Sequence, residues 1–477
     1  MNFAPTAEQS LILEAVRTTR DNLLIEARAG AAKTTTLLMI AEALPMTSIR
    51  CVAFNKKIAE ELQSRLPENG TAATMNSLGH RAWSRFLGKR LRLDTSKVFN
   101  LFREETAKRD KRTQEAARES SSFILKSVRH AKSQGFITKH AYGKSLLSVE
   151  DFLTDLPEEP TSLEEDLILT LVKQNLDGAL QGWIDFDDQI LCSALFPATF
   201  DIAPLTLVDE AQDLSPINHI MLEKMTKRQR LIAVGDPCQA IYAFRGAMED
   251  SMNALASGFN ARRLYLTLTF RCPEEIVAEA QWRAPDMTSA AKHSGEVRNL
   301  PTWTEADLPD NCAIICRNNA PLLRCALNLI RARRYPELLG NDIMAGLVKQ
   351  LRSFGKETLS STAAFDKAVA WFDSKKKKSR ETGVLRDRLA CIQLFLEQGP
   401  TLGDAIAYAE TLAKAKGRIK LMTAHKSKGL EFDSVFILDA HLMRDEGQDL
   451  NLRYVAQTRA MRQLTYITTD GWTVKGD

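Results

Sequence analysis

The sequence predicts an α/β protein in which short buried strands alternate with helices and the chemistry gathers at strand ends. Three observations carry that expectation. The run Asn22-Leu23-Leu24-Ile25 reads as a buried strand that passes through a small-residue loop into Lys33-Thr34 and the helical pattern of residues 37–44. Strand character recurs in Arg50-Cys51-Val52-Ala53-Phe54, Leu205-Thr206-Leu207-Val208 and Leu231-Ile232-Ala233-Val234, each ending in polar residues. From about residue 86 to residue 184 strand patterns give way to charged helical segments, over residues 97–118, 123–134 and 163–180, which read as an inserted helical subdomain.

The chain has 477 residues, which at ~100–200 residues per domain suggests about three units, with insertions. Its 44% hydrophobic and 26% charged residues belong to a globular protein with real cores. No apolar run has membrane length, and Met1-Asn2-Phe3-Ala4-Pro5 has neither the basic start nor the apolar core of a signal peptide. A cytoplasmic location and no membrane partner are therefore expected. The net charge of +4 is compatible with a nucleic-acid partner. Eight cysteines are scattered, and the nearest, Cys312, Cys316 and Cys325, lack the paired spacing of a zinc site, so reduced, buried thiols are expected.

Strand, small-residue loop, Lys-Thr and helix in that order is phosphate-binding architecture. Backbone N–H groups of Ala29, Gly30, Ala31, Ala32, Lys33, Thr34 and Thr35 and the helix N-terminus would cradle a polyphosphate, Lys33 adds charge, and the Thr34 hydroxyl reaches a magnesium ion. The usual glycines at the first position and before the lysine are here Ala27 and Ala32, and only Gly30 remains. Any of these positions that needs a positive φ would be strained. Arg28 either lies along the phosphates or points to solvent.

At the N-terminus Thr6 is a candidate N-cap, and Gln9, in the first helical turn, is a candidate adenine reader through its amide. Phe54, Asn55 and Lys56, and further on Thr74 and Asn76, sit at strand ends and suit contact with nucleic acid; a capped helix start is the alternative for each. In the helical insertion Arg103, Lys108, Arg109, Lys111, Arg112, Lys126, Arg129 and Lys132 form a basic series that reads either as a DNA-facing surface or as a solvated face. Asp209 and Glu210 at the end of a buried strand are expensive unless they hold a cation or do chemistry. Asp209 is the candidate magnesium ligand and Glu210 the candidate general base.

The box Asp209-Glu210-Ala211-Gln212-Asp213, with Gly235-Asp236-Pro237-Cys238-Gln239-Ala240-Ile241-Tyr242-Ala243-Phe244-Arg245-Gly246-Ala247 about two dozen residues on, resembles the superfamily 1 DNA helicases of the UvrD, Rep and PcrA type. Further stretches are similar to later motifs of that family: Leu266-Thr267-Leu268-Thr269-Phe270-Arg271, Ala313-Ile314-Ile315-Cys316-Arg317, Thr423-Ala424-His425-Lys426-Ser427-Lys428-Gly429-Leu430-Glu431 and Tyr454-Val455-Ala456-Gln457-Thr458-Arg459-Ala460. The resemblance implies two RecA-like parallel-sheet motor domains, ATP and Mg2+ as cofactors, and single-stranded DNA and duplex junctions as partners. It implies that Gln239 senses the γ-phosphate, that Arg271 contacts it, that Arg459 is the arginine finger, and that Glu431 lies near the nucleotide sugar. Tyr242, Phe244 and Arg245, and Thr423 and His425, would lie along DNA, with a packing role as the alternative for Tyr242 and Phe244.

The expected organisation is a first motor domain over residues 1–88 and 183–262 with the helical insertion at 89–182, and a second over 263–340 and 417–477 with a reduced helical insertion at 341–416. Lys375-Lys376-Lys377-Lys378 in the latter is either a duplex-holding run or a solvated loop. Because the sequence ends soon after the last motif, no appended nuclease domain is expected. The resemblance implies a helicase that translocates 3′ to 5′ by coupling hydrolysis to cleft closure. Two alternatives stay open: a DNA-stimulated ATPase that remodels protein–DNA complexes or serves a nuclease, and a non-hydrolysing DNA clamp.

Overall fold

The computed structural model describes residues 4–53, 55–227, 229–243, 246–248, 250–376 and 382–473, in two compact units. The first comprises residues 1–27 and 32–266, and the second residues 28–31 and 267–477. Of the sequence-predicted residues, Phe54, Phe244, Arg245, Lys377 and Lys378 lie outside the described residues.

In the first unit helix α1 (Ala7–Thr18) precedes strand β1 (Leu23–Ala27), followed by α2 (Lys33–Ala43), β2 (Ile49–Ala53), α3 (Lys56–Arg65), β3 (Gly70–Thr74) and α4 (Met75–Leu87). The predicted insertion begins and ends at a two-residue parallel pair, β4 (Arg92–Leu93) and β5 (Trp183–Ile184), two short strands where the sequence pattern suggested none. Between them run α5 (Lys97–Ala107), α6 (Lys111–Glu119), α7 (Ser121–Gln134), α8 (Val149–Thr154) and α9 (Ser162–Leu180). Their apolar faces build a cluster of their own around Phe102, Ile124, Val128, Phe152 and Leu171, with the Phe136 and Phe152 rings stacked at 4.3 Å.

The chain then returns to the sheet through α10 (Phe186–Leu195), β6 (Leu205–Val208), α11 (Pro216–Met225), β7 (Arg230–Gly235), α12 (Ser251–Gly258) and β8 (Arg262–Leu266). The strands stand in the order β3-β2-β6-β7-β1-β8 and all pair in parallel. β2, β6 and β7 are buried at every residue, as continuous apolar runs with helices on both faces require. Parallel pairing puts every C-terminal strand end on one edge of the sheet, the edge at which open α/β sheets bind ligands.

The second unit opens with β9 (Leu268–Thr269), α13 (Glu274–Ala280) and β10 (Thr288–Ser289), β9 and β10 forming a small parallel pair. It continues with β11 (Glu296–Leu300), β12 (Cys312–Cys316), α14 (Asn319–Arg331), β13 (Pro336–Leu338), α15 (Asn341–Arg352), α16 (Ser361–Lys376), α17 (Thr382–Leu396), α18 (Leu402–Lys414), β14 (Ile419–Thr423), α19 (Ala424–Ser427), β15 (Phe432–Leu438), α20 (Gly447–Gln457) and β16 (Ala460–Ile467). Its six-stranded sheet, β11-β16-β15-β12-β14-β13, is again parallel throughout. Residues of α15 to α18, among them Leu347, Ala368, Phe395 and Ile406, share one apolar cluster with Ile314, Leu421 and Phe436 of the sheet. The short second insertion is thus built into the core of its unit.

All eight cysteines are buried and unbridged. Among the described residues no helix is long and apolar enough to cross a membrane.

Candidate functional site

In the first unit the ends of β1, β6 and β7 bring four sequence-predicted residues together. The Lys33 Nζ lies 3.0 Å from Glu210 Oε2. Burial works against the Lys33 charge, but Glu210, Asp209 and Asp236 outweigh it and raise its pKa above the ordinary lysine value. The Asp209 carboxyl is pushed up to about 6 by burial and by the neighbouring Glu210, with Lys33 opposing. Asp209 Oδ1 accepts from the Glu210 backbone N–H at 2.9 Å, and Gln212 Nε2 donates to Glu210. Two carboxylates at one buried strand end with one lysine between them is a donor set that a divalent cation and a polyphosphate would complete.

The loop carries the strain that its alanines predict. Ala32, where a glycine is usual, adopts φ 57° and ψ 38°, the left-handed region. Three hydrogen bonds support it. Gln9 Nε2 donates to Thr36 Oγ1 at 3.0 Å, Thr36 Oγ1 donates to the Ala32 carbonyl at 3.1 Å, and the Thr36 N–H donates to the same carbonyl at 2.9 Å. Gln9 also completes a capping box with Thr6, so its amide is engaged at both ends. Thr34 and Thr35 are half-buried in the first turn of α2.

Gln239 donates through Nε2 to Asp236 Oδ2 at 2.5 Å, and Asp236, itself fully buried, donates through its backbone N–H to Gln212 Oε1 at 3.0 Å. Asp236 fixes the Gln239 carboxamide, a role the sequence reading did not assign. The available signal was a second acid at a buried strand's end.

Close by, a cavity of about 300 Å³ is lined by Asn76, Arg129, Asp209, Ser215 and Tyr242, among others. Tyr242 is half-buried there. Asn55 and Thr74 are both helix N-caps, accepting from Ile58 N and Ser77 N, while Asn76 Nδ2 donates to the Phe186 carbonyl at 2.6 Å. Lys56 is exposed and paired with Glu60 at 3.6 Å.

The basic series of the insertion does not form one surface. Lys132 is buried between Asp185 at 2.5 Å and Asp188 at 2.9 Å, because α7 packs against α10, and Arg109 is paired with Glu105 and Asp166.

In the second unit Gly30 adopts φ 73°, and a Cβ there would lie 2.5 Å from Thr269 Oγ1 and 2.6 Å from Arg271 Cβ, so the one retained glycine is sterically required. Arg28 is committed to Asp286, with Nε and Nη2 donating at 2.7 and 2.8 Å, and neither sequence alternative anticipated this. Sequence offered no signal for a partner so distant. The Ala29 N–H donates to Tyr454 Oη at 3.0 Å.

Arg271 pairs with Glu431 and donates through Nη1 to the Thr458 carbonyl at 3.2 Å. Arg459 is 1% exposed, its Nε donating to the Val455 carbonyl at 2.8 Å and its Nη2 to Thr458 Oγ1 at 3.1 Å. Burial first, and Arg271 second, lower its pKa to about 10. Thr423 occupies the N-cap position of α19 without a side-chain capping bond, and His425, half-buried, follows on that helix.

A parallel sheet with a Lys-Thr loop after one strand, an acid pair after another and a fixed glutamine after a third defines a class: the P-loop nucleotide-driven motors. Residues 9–260 match the family described as UvrD/REP helicase N-terminal domain, and residues 344–471 match the UvrD-like helicase C-terminal domain. The chain belongs to the UvrD/REP helicase family.

Three relatives illustrate the range. F-box DNA helicase protein 1 of Schizosaccharomyces pombe is 26% identical over 96% of this chain and 57% of its own length. Gabija protein GajB of Bacillus cereus is 23% identical over 94% of this chain and 92% of its own length. ATP-dependent DNA helicase PcrA of Bacillus subtilis is 25% identical over 73% of this chain and 46% of its own length. The chain spans about half the length of several curated relatives that it matches.

Proposed function

We infer that the chain is an ATP-dependent DNA helicase, a motor that moves along single-stranded DNA and opens duplex. The observation that carries this reading is the cluster of half-buried Lys33 and Glu210 with buried Asp209, set on the same sheet edge as Asn76 and Tyr242. Family membership and relatives named as DNA helicases support it.

On this reading Lys33 and the backbone of Ala29 to Thr35 hold the triphosphate of the substrate ATP, Gln9 meets the adenine and Glu431 the sugar. Asp209 and Thr34 would hold Mg2+, which when bound draws charge from the phosphate oxygens. Glu210, paired with Lys33 at 3.0 Å, orients and deprotonates the attacking water. Gln239, fixed by Asp236, reports the γ-phosphate to the DNA-facing segment, and Arg271 and Arg459 stabilise the transition state.

The strand would run over Asn55, Lys56, Thr74, Asn76, Tyr242, Thr423 and His425, in the 3′ to 5′ direction, with hydrolysis coupled to domain closure. Phe54, Phe244 and Arg245 belong to the same proposed contact. A second reading, a DNA-stimulated ATPase that remodels protein–DNA complexes without processive unwinding, is favoured by α15 to α18 being built into the sheet's core.

Steady-state ATP hydrolysis with and without single-stranded DNA tests the motor. DNA-stimulated turnover in the wild type, abolished by Lys33→Ala and by Glu210→Gln, supports it; intact DNA binding with no turnover in the wild type defeats it. Strand displacement from a tailed duplex then separates the two readings.

A further inference from the structure

At the opposite edge of the first sheet, α4 ends in an uncompensated cluster of cations. His80, Arg81 and Arg85 lie on one face of the helix, and Gly88, at φ 65°, turns the chain so that Lys89 and Arg90 fall beside them. Ser84 Oγ donates to the Lys89 carbonyl at 2.7 Å and holds that turn. Together these residues line a shallow notch of about 550 Å³.

Among the described residues one carboxylate pairs with this group. Asp201 pairs with Arg85 at 2.9 Å, and its backbone carbonyl accepts from Arg50, the second residue of β2. Arg50 is 6% exposed, and its Nη1 has no hydrogen-bond partner among the described residues. Arg81, Lys89 and Arg90 are exposed and make no ion pair among the described residues. Gathering so many like charges opposes folding unless an anion meets them.

The lining says which anion. It holds no apolar residue and no Phe, Tyr or Trp ring, so it offers a protein partner no apolar anchor and an unpaired base no Phe, Tyr or Trp ring to stack upon. Guanidinium forks on a helix face are suited to phosphate oxygens. Twelve residues separate Asn76 from Gly88, about 18 Å of chain at ~1.5 Å per residue, so the notch is remote from the proposed single-strand contact.

We propose that the notch formed by Arg81, Arg85, Lys89 and Arg90 at the end of α4 binds the sugar-phosphate backbone of duplex DNA, as a second contact outside the single-strand path. This rests on the reading of the chain as a DNA motor. Contact is by charge, so it is independent of base sequence and sensitive to salt.

The test compares the wild type with the triple variant Arg81→Ala, Lys89→Ala, Arg90→Ala, all exposed positions. Binding is measured by fluorescence anisotropy over a salt series, with a short oligothymidylate and with the same strand joined to a duplex. The variant is expected to bind and respond to the oligothymidylate as the wild type does. It should lose about tenfold or more in affinity for the tailed duplex, with the log–log salt slope reduced by about 2 to 3, at ~0.9 per phosphate contact. The charge-conserving double variant Arg81→Lys, Arg90→Lys, with Lys89 unchanged, should retain both, which separates loss of charge from a folding defect. An unchanged slope for the tailed duplex overturns the proposal, and loss of poly-glutamate binding alone would point to an acidic protein instead. Should the oligothymidylate fail to stimulate the wild-type ATPase, the motor reading fails, while the slope still reports on the notch.

Discussion

Ala32 shows what a single methyl group does in a phosphate loop. A left-handed conformation costs a non-glycine residue roughly 1–2 kcal/mol, and Ala32 is held in it by the chain from Gln9 through Thr36. Ala32→Gly is therefore expected to stabilise the protein by about 1 kcal/mol, visible as a modest rise in thermal midpoint. Gly30 is the reverse case: Gly30→Ala should abolish ATP binding, measured by nucleotide fluorescence titration, because a methyl group at φ 73° would clash with Thr269 Oγ1 and Arg271 Cβ and distort the loop backbone itself. At His219 burial lowers the pKa to about 4, and the ring is hydrogen-bonded to Ser251 Oγ at 2.9 Å. The unfolded chain takes up this proton first, near the ordinary histidine value of ~6.5. The associated stability is complete above that pH and is lost as pH falls from there toward 4. His219→Gln should flatten the dependence of chemical denaturation midpoints over that window.

The elements are held together by polar pins as much as by apolar faces. Asp188 of α10 receives Lys97 of α5 at 2.7 Å, Lys132 of α7 at 2.9 Å and Asn175 of α9 at 2.6 Å, so three helices of the insertion meet one carboxylate. Burial alone would raise its pKa, but Lys132 and Lys97 hold the carboxyl below the usual range. Removing one partner strands a buried charge, so Asp188→Asn and Lys97→Met should each destabilise the first unit by about 3–5 kcal/mol in urea denaturation. In the second unit the apolar analogue is Phe395 of α17, fully buried in the cluster shared with the sheet. Phe395→Ala should destabilise that unit by about 3–5 kcal/mol in the same measurement.

For the whole molecule, two parallel sheets place the proposed catalytic residues, drawn from distant stretches of sequence, near strand ends. Arg271→Ala should leave ATP binding within a few-fold and lower turnover by about 10³–10⁵, read from kcat in the DNA-stimulated assay, since the transferred phosphoryl group gains charge only in the transition state. The buried thiols provide a global probe of integrity. Burial pushes Cys51, Cys312 and Cys316 up to about 12, so native protein should react slowly with a thiol reagent and all eight cysteines should react once it is unfolded.

The sequence by itself determined the α/β class, the Lys-Thr loop, the acid pair and the helical insertion, because each is a local pattern: an apolar run of strand length, small residues before Lys33, charges at 3.6-residue spacing. It also marked the alanines of the loop as strained wherever a positive φ is needed, and the structure placed that strain at Ala32. Only the tertiary structure decided that Lys132 is a buried pin and not a surface charge, that Arg28 is committed to Asp286, that Asp236 aims Gln239, and that Arg81, Arg85, Lys89 and Arg90 line one notch. A residue's charge is written in its type, but its partner is set by which helices and strands pack together, and that is fixed by burial over the whole chain.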